Sequence, residues 1–147
     1  MHELLYLKDE QIKEFIEKLY IVYRELLNDA KPVLNEYSLG LAHQKVIHIL
    51  SIYDGITISD LLKKLKITKQ SLNRVIKDLV KNEFIFFEKD KLDTRRKHIY
   101  LSNLGEKIFK EIFSVQKKRI YKAFTDSNSQ EVLYFDNVIK KIINEKV

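Results

Sequence analysis

Apolar residues recur at three-and-four spacing through Ile12, Phe15, Ile16, Leu19, Val22, Tyr23, Leu26 and Leu27. That spacing draws one stripe down a helix, so residues 9–29 are predicted to form a long first helix. Pro32 is predicted to mark its end, since proline has no N–H to continue the ladder and its ring crowds the carbonyl four residues back. A second helix is predicted from about Leu41 to Tyr53 on Val46, Ile47, Ile49 and Leu50, with "YDG" breaking it at Gly55. Thr57 with Asp60 three residues later resembles a capping box that opens a short helix, ISDLLKKL.

The next apolar pattern lies in ITKQSLNRVIKDLVKNEF, residues 67–84. On a helical wheel centred on Leu72, Val75, Ile76, Leu79 and Val80 fall within about 80° of it, while Gln70, Asn73, Arg74, Lys77 and Lys81 fall opposite. Thr68 is the predicted cap, which leaves Lys69, Gln70 and Ser71 at the leading end. Two short helices across a three-to-four-residue turn, the second buried on one face and basic on the other, are a helix-turn-helix pattern. Phe84–Lys89 and Lys97–Leu101 then read as β-strands separated by "DKLDTRR", and a hairpin directly after a helix-turn-helix is a wing. Ser102 is predicted to cap a long helix through Ile108, Phe109, Ile112, Phe113, Ile120, Tyr121 and Phe124. "TDSNSQ" interrupts that helix, Ser127 and Gln130 resemble a further capping box, and Val138, Ile139, Ile142 and Ile143 continue an apolar stripe.

The predicted fold class is therefore mainly α with a small β-hairpin wing. It divides into an N-terminal helical segment (1–37), a winged helix-turn-helix (38–104) and C-terminal helices (105–147). The end helices carry more apolar surface than a 90-residue winged domain could cover. That surplus predicts a homodimer with the terminal helices interleaved; the alternative is that they fold back on their own winged domain. One Pro and three Gly among 147 residues supply few tight turns, which also disfavours an all-β sandwich.

Charge sharpens the picture through its distribution. The chain carries a formal +6, but residues 63–97 alone hold twelve basic and five acidic side chains, a net of +7, so the rest sums to about −1. Within this block Gln70, Ser71, Asn73, Arg74 and Lys77 mix side chains that grip base edges with ones suited to phosphates. Lys63, Lys64, Lys66, Lys69 and Lys81 add sequence-independent attraction. An ordinary solvated Lys/Arg face would explain this helix equally well. The wing weighs against that, because Arg95, Arg96 and Lys97 concentrate at a hairpin tip suited to the narrow minor groove of A·T-rich DNA. Asp93 belongs in that setting if it holds Arg95 through a charge-assisted hydrogen bond.

Other chemistries find little support. With no Cys, disulfides, thiolate metal sites and thiol redox switches are excluded. His43 and His48 are five apart, hence not on one helix face, and no carboxylate or second His completes a metal set with them or with His98. No nucleophile motif, glycine-rich phosphate loop or paired carboxylates are present, so neither an enzyme nor a cofactor is expected. The N-terminus is not signal-like and no apolar run reaches membrane-spanning length, so a cytoplasmic protein without a membrane partner is expected.

From Leu39 to Leu104 the sequence resembles the MarR family of bacterial winged-helix transcription regulators, through "LGLAHQKVIHIL", "ISDLLKKLKITKQSLNRVIKDLV" and "LDTRRKHIYLSNLGEKIF". The last looks like the family's Asp-x-Arg wing followed by its Leu-Thr-x-x-Gly helix start. "AHQKVIH" and "ITKQSLNRV" look closer still to a PetP-type subgroup. The resemblance implies a two-fold dimer on a pseudo-palindromic double-stranded DNA operator. It implies recognition-helix contacts by Gln70, Ser71, Asn73 and Arg74, and a wing pair of Asp93 and Arg95 with Arg96 adjacent. It also implies, for many members, release of DNA on binding a small phenolic or anionic effector between the dimer helices and the winged domain. No residue set in the sequence itself identifies such an effector.

Three positions depart from the family pattern. Glu83 stands where a glycine usually ends the recognition helix, so either Asn82 takes the left-handed conformation instead or about 1 kcal/mol of strain is tolerated. Lys66 replaces a common turn glycine, and Phe86 and Phe87 replace polar residues at the start of the wing. Two other functions fit the same fold: a protein-interaction or dimerisation module without specific DNA binding, and an RNA-binding winged helix. The second is disfavoured because the small polar reading set suits an open B-form major groove.

Overall fold

The predicted first helix forms and runs straight through its proline. In the computed structural model, which describes residues 4–144, a 3-10 turn at Leu5–Leu7 leads into α1, Asp9–Glu36, with Pro32 inside. Pro32 therefore does not end the helix as expected. Its lost ladder bond and ring clash cost about 3 kcal/mol, and the flanking turns offset this by packing. Ala30 and Leu34 are buried, and Tyr37, just past the helix, sits edge-on to Phe84 at 6.4 Å and donates its hydroxyl to Glu111 at 3.1 Å.

α2 (Leu41–Ile52) follows, then β1 (Ile56–Thr57), α3 (Ile58–Leu65) and α4 (Lys69–Lys81). The wing strands are β2 (Ile85–Lys89) and β3 (Lys97–Leu101), and the chain finishes with α5 (Asn103–Thr125) and α6 (Ser129–Ile142). β3 lies centrally in a three-stranded antiparallel sheet, paired with β2 along its length and with β1 through Ile56–Ile99 and Thr57–His98. The wing is thus wider than the predicted hairpin by one two-residue strand.

Leu50, Leu61, Leu72, Leu79, Ile99 and Ile108 are fully buried and bring α2, α3, α4, the sheet and the start of α5 onto one core. Four helix starts are capped as their chemistry dictates: Thr57, Thr68, Ser102 and Asn128 accept from the backbone N–H of Asp60, Ser71, Gly105 and Glu131. The last of these corrects the Ser127/Gln130 box. Asn128 is the cap and Glu131 its partner, while the Ser127 hydroxyl donates to the Ala123 carbonyl and so helps finish α5.

α1 and α5 are joined by Arg119, whose Nε and Nη2 donate to the two Asp29 carboxylate oxygens at 2.6 and 2.9 Å. That fork holds the Asp29 carboxyl below its ordinary range. Toward the far ends of these helices the packing stops. α6 buries no residue, and Ile12, Phe15, Val22, Phe113, Phe124, Leu133, Phe135 and Val138 are all exposed. No helix among the described residues is long and apolar enough to cross a membrane.

Candidate nucleic-acid interface

α4 divides as its periodicity requires. Leu72, Val75, Ile76 and Leu79 are buried, whereas Lys69, Gln70, Ser71, Asn73, Arg74 and Lys77 are exposed along the opposite face. Val80, at the edge of the predicted apolar arc, is 42% exposed and does not belong to the buried face. Thr68 Oγ1 accepts the Ser71 N–H at 3.1 Å and donates to the Ser71 hydroxyl at 2.8 Å, so the first turn is pinned while that hydroxyl keeps its own proton to donate outward. Among the described residues, the side chains of Gln70, Asn73, Arg74 and Lys77 make no hydrogen bond or ion pair within the chain. The face is fully available to a partner.

The wing tip is ordered by its own polar side chains. Asp90 Oδ1 accepts the Leu92 N–H at 2.9 Å, Asp93 Oδ1 accepts the Arg95 N–H at 3.0 Å, and the Arg96 N–H donates to the Asp93 carbonyl at 3.0 Å. Asp93 Oδ1 also lies 3.4 Å from Arg95 Nε. The aspartate therefore shapes the turn mainly through the backbone and biases the arginine weakly. Arg95, Arg96 and Lys97 line one cleft together with Lys63 and the first turn of α3, which includes Asp60, so the wing and α3 border one cleft with four basic residues and one acidic residue.

Two positioning residues had no signature in the sequence. His43 on α2 accepts the Gly40 N–H at Nδ1 (3.0 Å), which leaves Nε2 as the protonated nitrogen, 3.0 Å from Asp78 Oδ2 on α4. It caps its own helix and tethers α4 with one ring. His98 on β3 places Nδ1 2.7 Å from the Gly55 carbonyl and Nε2 3.2 Å from Asp90 Oδ2. The Gly55 carbonyl first, and Asp90 second, push the His98 imidazole above its ordinary value; the Leu92 N–H and His98 hold Asp90 below its own. The Gly40 contact is a local capping box three residues back, whereas only the fold brings His43 to Asp78 and His98 to Gly55.

Residues 39–96 match the family model described as the MarR family. Over 141 residues the chain is 30% identical to the HTH-type transcriptional regulator PetP of Rhodobacter capsulatus, covering 96% of this chain and 85% of that protein. The chain belongs to the MarR family of transcriptional regulators. Solved MarR-type structures share its fold. NadR in complex with 4-hydroxyphenylacetate superposes with a TM-score of 0.75 at 19% identity, over 99% of this chain and 100% of NadR. The Staphylococcus aureus MepR–DNA complex gives 0.69 at 19% identity, over 90% of this chain and 98% of that one.

The departures from the MarR pattern resolve individually. Glu83, not Asn82, takes the left-handed conformation (φ 60°), inside a Schellman closure in which Phe84 N–H reaches the Leu79 carbonyl at 2.9 Å and Glu83 N–H the Val80 carbonyl at 3.0 Å. The strain of about 1 kcal/mol is borne by the non-glycine residue itself. Lys66 does the same after α3 at φ 52°. Phe86 is exposed but stacks on Tyr100 at 5.4 Å, while Phe87 turns partly into the core.

An apolar cavity opens between α1, α2, α3 and α5. It is lined by Tyr23, Leu26 and Leu27, by Leu41, Gln44, Lys45, His48 and Ile49, by Lys64 and Leu65, and by Gln116. Gln44 is buried and its Oε1 has no hydrogen-bond partner. An unpaired buried acceptor costs about 1–3 kcal/mol. Among the described residues no group of three or more His, Cys, Asp or Glu is placed to hold a metal.

Proposed function

We propose that this MarR-family protein binds a pseudo-palindromic double-stranded DNA operator sequence-specifically as a homodimer. α4 enters a major groove and the wing an adjacent minor groove, with half-sites about one helical turn apart. The observation that carries this reading is the unengaged polar face of α4 beside a braced, arginine-bearing wing. Gln70, Ser71, Asn73 and Arg74 are assigned to base edges, Lys69 and Lys77 to phosphates, and Arg95 and Arg96 to the minor groove, with Asp93 shaping the tip. It acts by binding, not catalysis, as a cytoplasmic regulator.

The dimer rests on the exposed apolar faces of α1, α5 and α6. Segments 1–37 and 105–147 supply it and 38–104 reads DNA, although α5 begins inside the winged core through Ile108 and Ile112. The cavity with the orphaned Gln44 acceptor, flanked by Lys45, Lys64 and His48, is assigned to a small anionic or phenolic effector. That assignment agrees with the 4-hydroxyphenylacetate bound by NadR.

Fluorescence anisotropy with one palindromic and one scrambled duplex at several salt concentrations tests the proposal. Equal, weak binding to both would sink it. In the same assay Lys77→Ala is expected to lower the salt slope by about one with sequence preference intact. Gln70→Ala and Arg74→Ala are expected to relax base preference instead, by about 1–3 kcal/mol for each bidentate pair removed. A salt slope that changes for Gln70 and not for Lys77 would reverse these roles.

A further inference from the structure

His98 stands where the wing meets the body of the domain. On the sheet it is in register with Thr57 of β1 on one side and Glu88 of β2 on the other, so all three side chains share a face. Both ring nitrogens look at acceptors, the Gly55 carbonyl at 2.7 Å and Asp90 Oδ2 at 3.2 Å. A neutral imidazole has one N–H, so it satisfies one of them and turns a lone pair on the other; only the imidazolium donates to both.

Hydrogen bonds continue outward from there. Asp90 opens the wing tip through its carboxylate on the Leu92 N–H, and closes it through its own N–H to the Arg96 carbonyl at 3.0 Å. A single line of hydrogen bonds thus runs from the turn after α2, through His98, to both ends of the loop that carries Arg95.

We propose that His98, protonated and bridging Gly55 and Asp90, is a positioning residue for the wing, and that its deprotonation loosens the wing and weakens DNA binding. This rests on the DNA-binding function proposed above. Of the charged groups around the ring, Asp90 favours the imidazolium and Arg96 opposes it, as does partial burial; Glu88 lies opposite on β2, and on the other side stand the uncharged Thr57 of β1 and the Gly55 carbonyl of the turn before it.

The direction with pH follows from the raised imidazole. Its contribution is complete below the ordinary value of 6.5 and is lost as pH rises through the higher folded value. Asp90, held below 3.8, stays ionised throughout that range. Binding therefore weakens on the alkaline side of 6.5.

The test is an anisotropy titration of the full chain on a palindromic duplex at fixed ionic strength, from about pH 6 to about pH 8, beside an NMR titration of the histidine ring without DNA. Parent affinity is expected to fall about tenfold across the range, the scale of one charge-assisted hydrogen bond. His98→Gln should bind throughout like the parent at the alkaline end, and Asp90→Asn should move the parent's midpoint to lower pH.

In the NMR arm, His98 should titrate above 6.5 and shift the amides of Leu92 and Arg95 as it does. A parent-like pH slope in His98→Gln, an unmoved midpoint in Asp90→Asn, or wing amides indifferent to His98 would each overturn the proposal. If the parent fails to bind the duplex at any pH, the DNA-binding function falls instead, and the NMR arm still decides whether His98 holds the wing.

Discussion

Arg95→Ala is expected to weaken operator binding by about 2 kcal/mol per wing, roughly 30-fold, and by up to twice that free energy when both wings of a dimer carry the change. The size follows from what the side chain does in the free protein, which is very little. Its side chain is 92% exposed, and among the described residues its one ion pair, to Asp93, is 3.4 Å long. An exposed pair of that kind adds almost nothing to folding. The guanidinium is therefore not committed to the fold, as the proposed minor-groove contact requires. A narrow A·T-rich minor groove concentrates negative potential where such a cation enters, so the interaction that alanine removes is charge-assisted and partly desolvated. Anisotropy on the palindromic duplex measures the effect, with a thermal melt alongside to show unchanged stability. Parent-like affinity would remove the wing from the interface and leave α4 to account for binding alone.

The elements that carry the proposed interface were legible in the sequence where periodicity is strong. Leu72, Val75, Ile76 and Leu79 fix the orientation of α4 with no knowledge of the rest of the chain, so the exposed set opposite them could be named. The β2–β3 hairpin was legible for a similar reason, as two β-rich runs around a charged turn. Features that depend on remote contacts were not. β1 has two residues and exists because Ile99 and His98 of β3 lie beside it. Pro32 stays helical because of what packs around Ala30, Leu34 and Tyr37, a tertiary effect that outweighs a local penalty. His43 meets Asp78 across 35 residues and His98 meets Gly55 across 43, separations at which no spacing rule operates. The buried amide of Gln44 likewise sits on a helix whose sequence gives no hint of a cavity.

Gly105→Ala is expected to destabilise the domain by a net of about 2 kcal/mol or more, although alanine is the better helix former by about 1 kcal/mol. This is the glycine of the family-like helix start "LSNLG", and its reason is a close approach of backbones. A Cβ at Gly105 would stand 2.1 Å from the Phe84 carbonyl oxygen, 3.1 Å from its carbon and 3.2 Å from Leu101 Cδ2. The first obstacle is main chain, so no rotamer change relieves it. That carbonyl already accepts the Ser102 N–H at 3.0 Å, and the Ser102 hydroxyl donates to the Glu83 carbonyl at 2.6 Å while accepting the Gly105 N–H at 3.0 Å. Moving Phe84 aside therefore strains three hydrogen bonds at the point where α4 ends, β2 begins and α5 starts. It also disturbs Glu83, which already bears left-handed strain. Because this turn links α4 to the wing, DNA affinity should fall along with the denaturation midpoint, even though Gly105 is itself buried. Urea unfolding of the parent and the variant measures the first effect and anisotropy the second. A variant as stable as the parent would show that the α4–β2 turn yields without cost, and that the close approach of Phe84 to α5 is not what holds α4 and the wing in register.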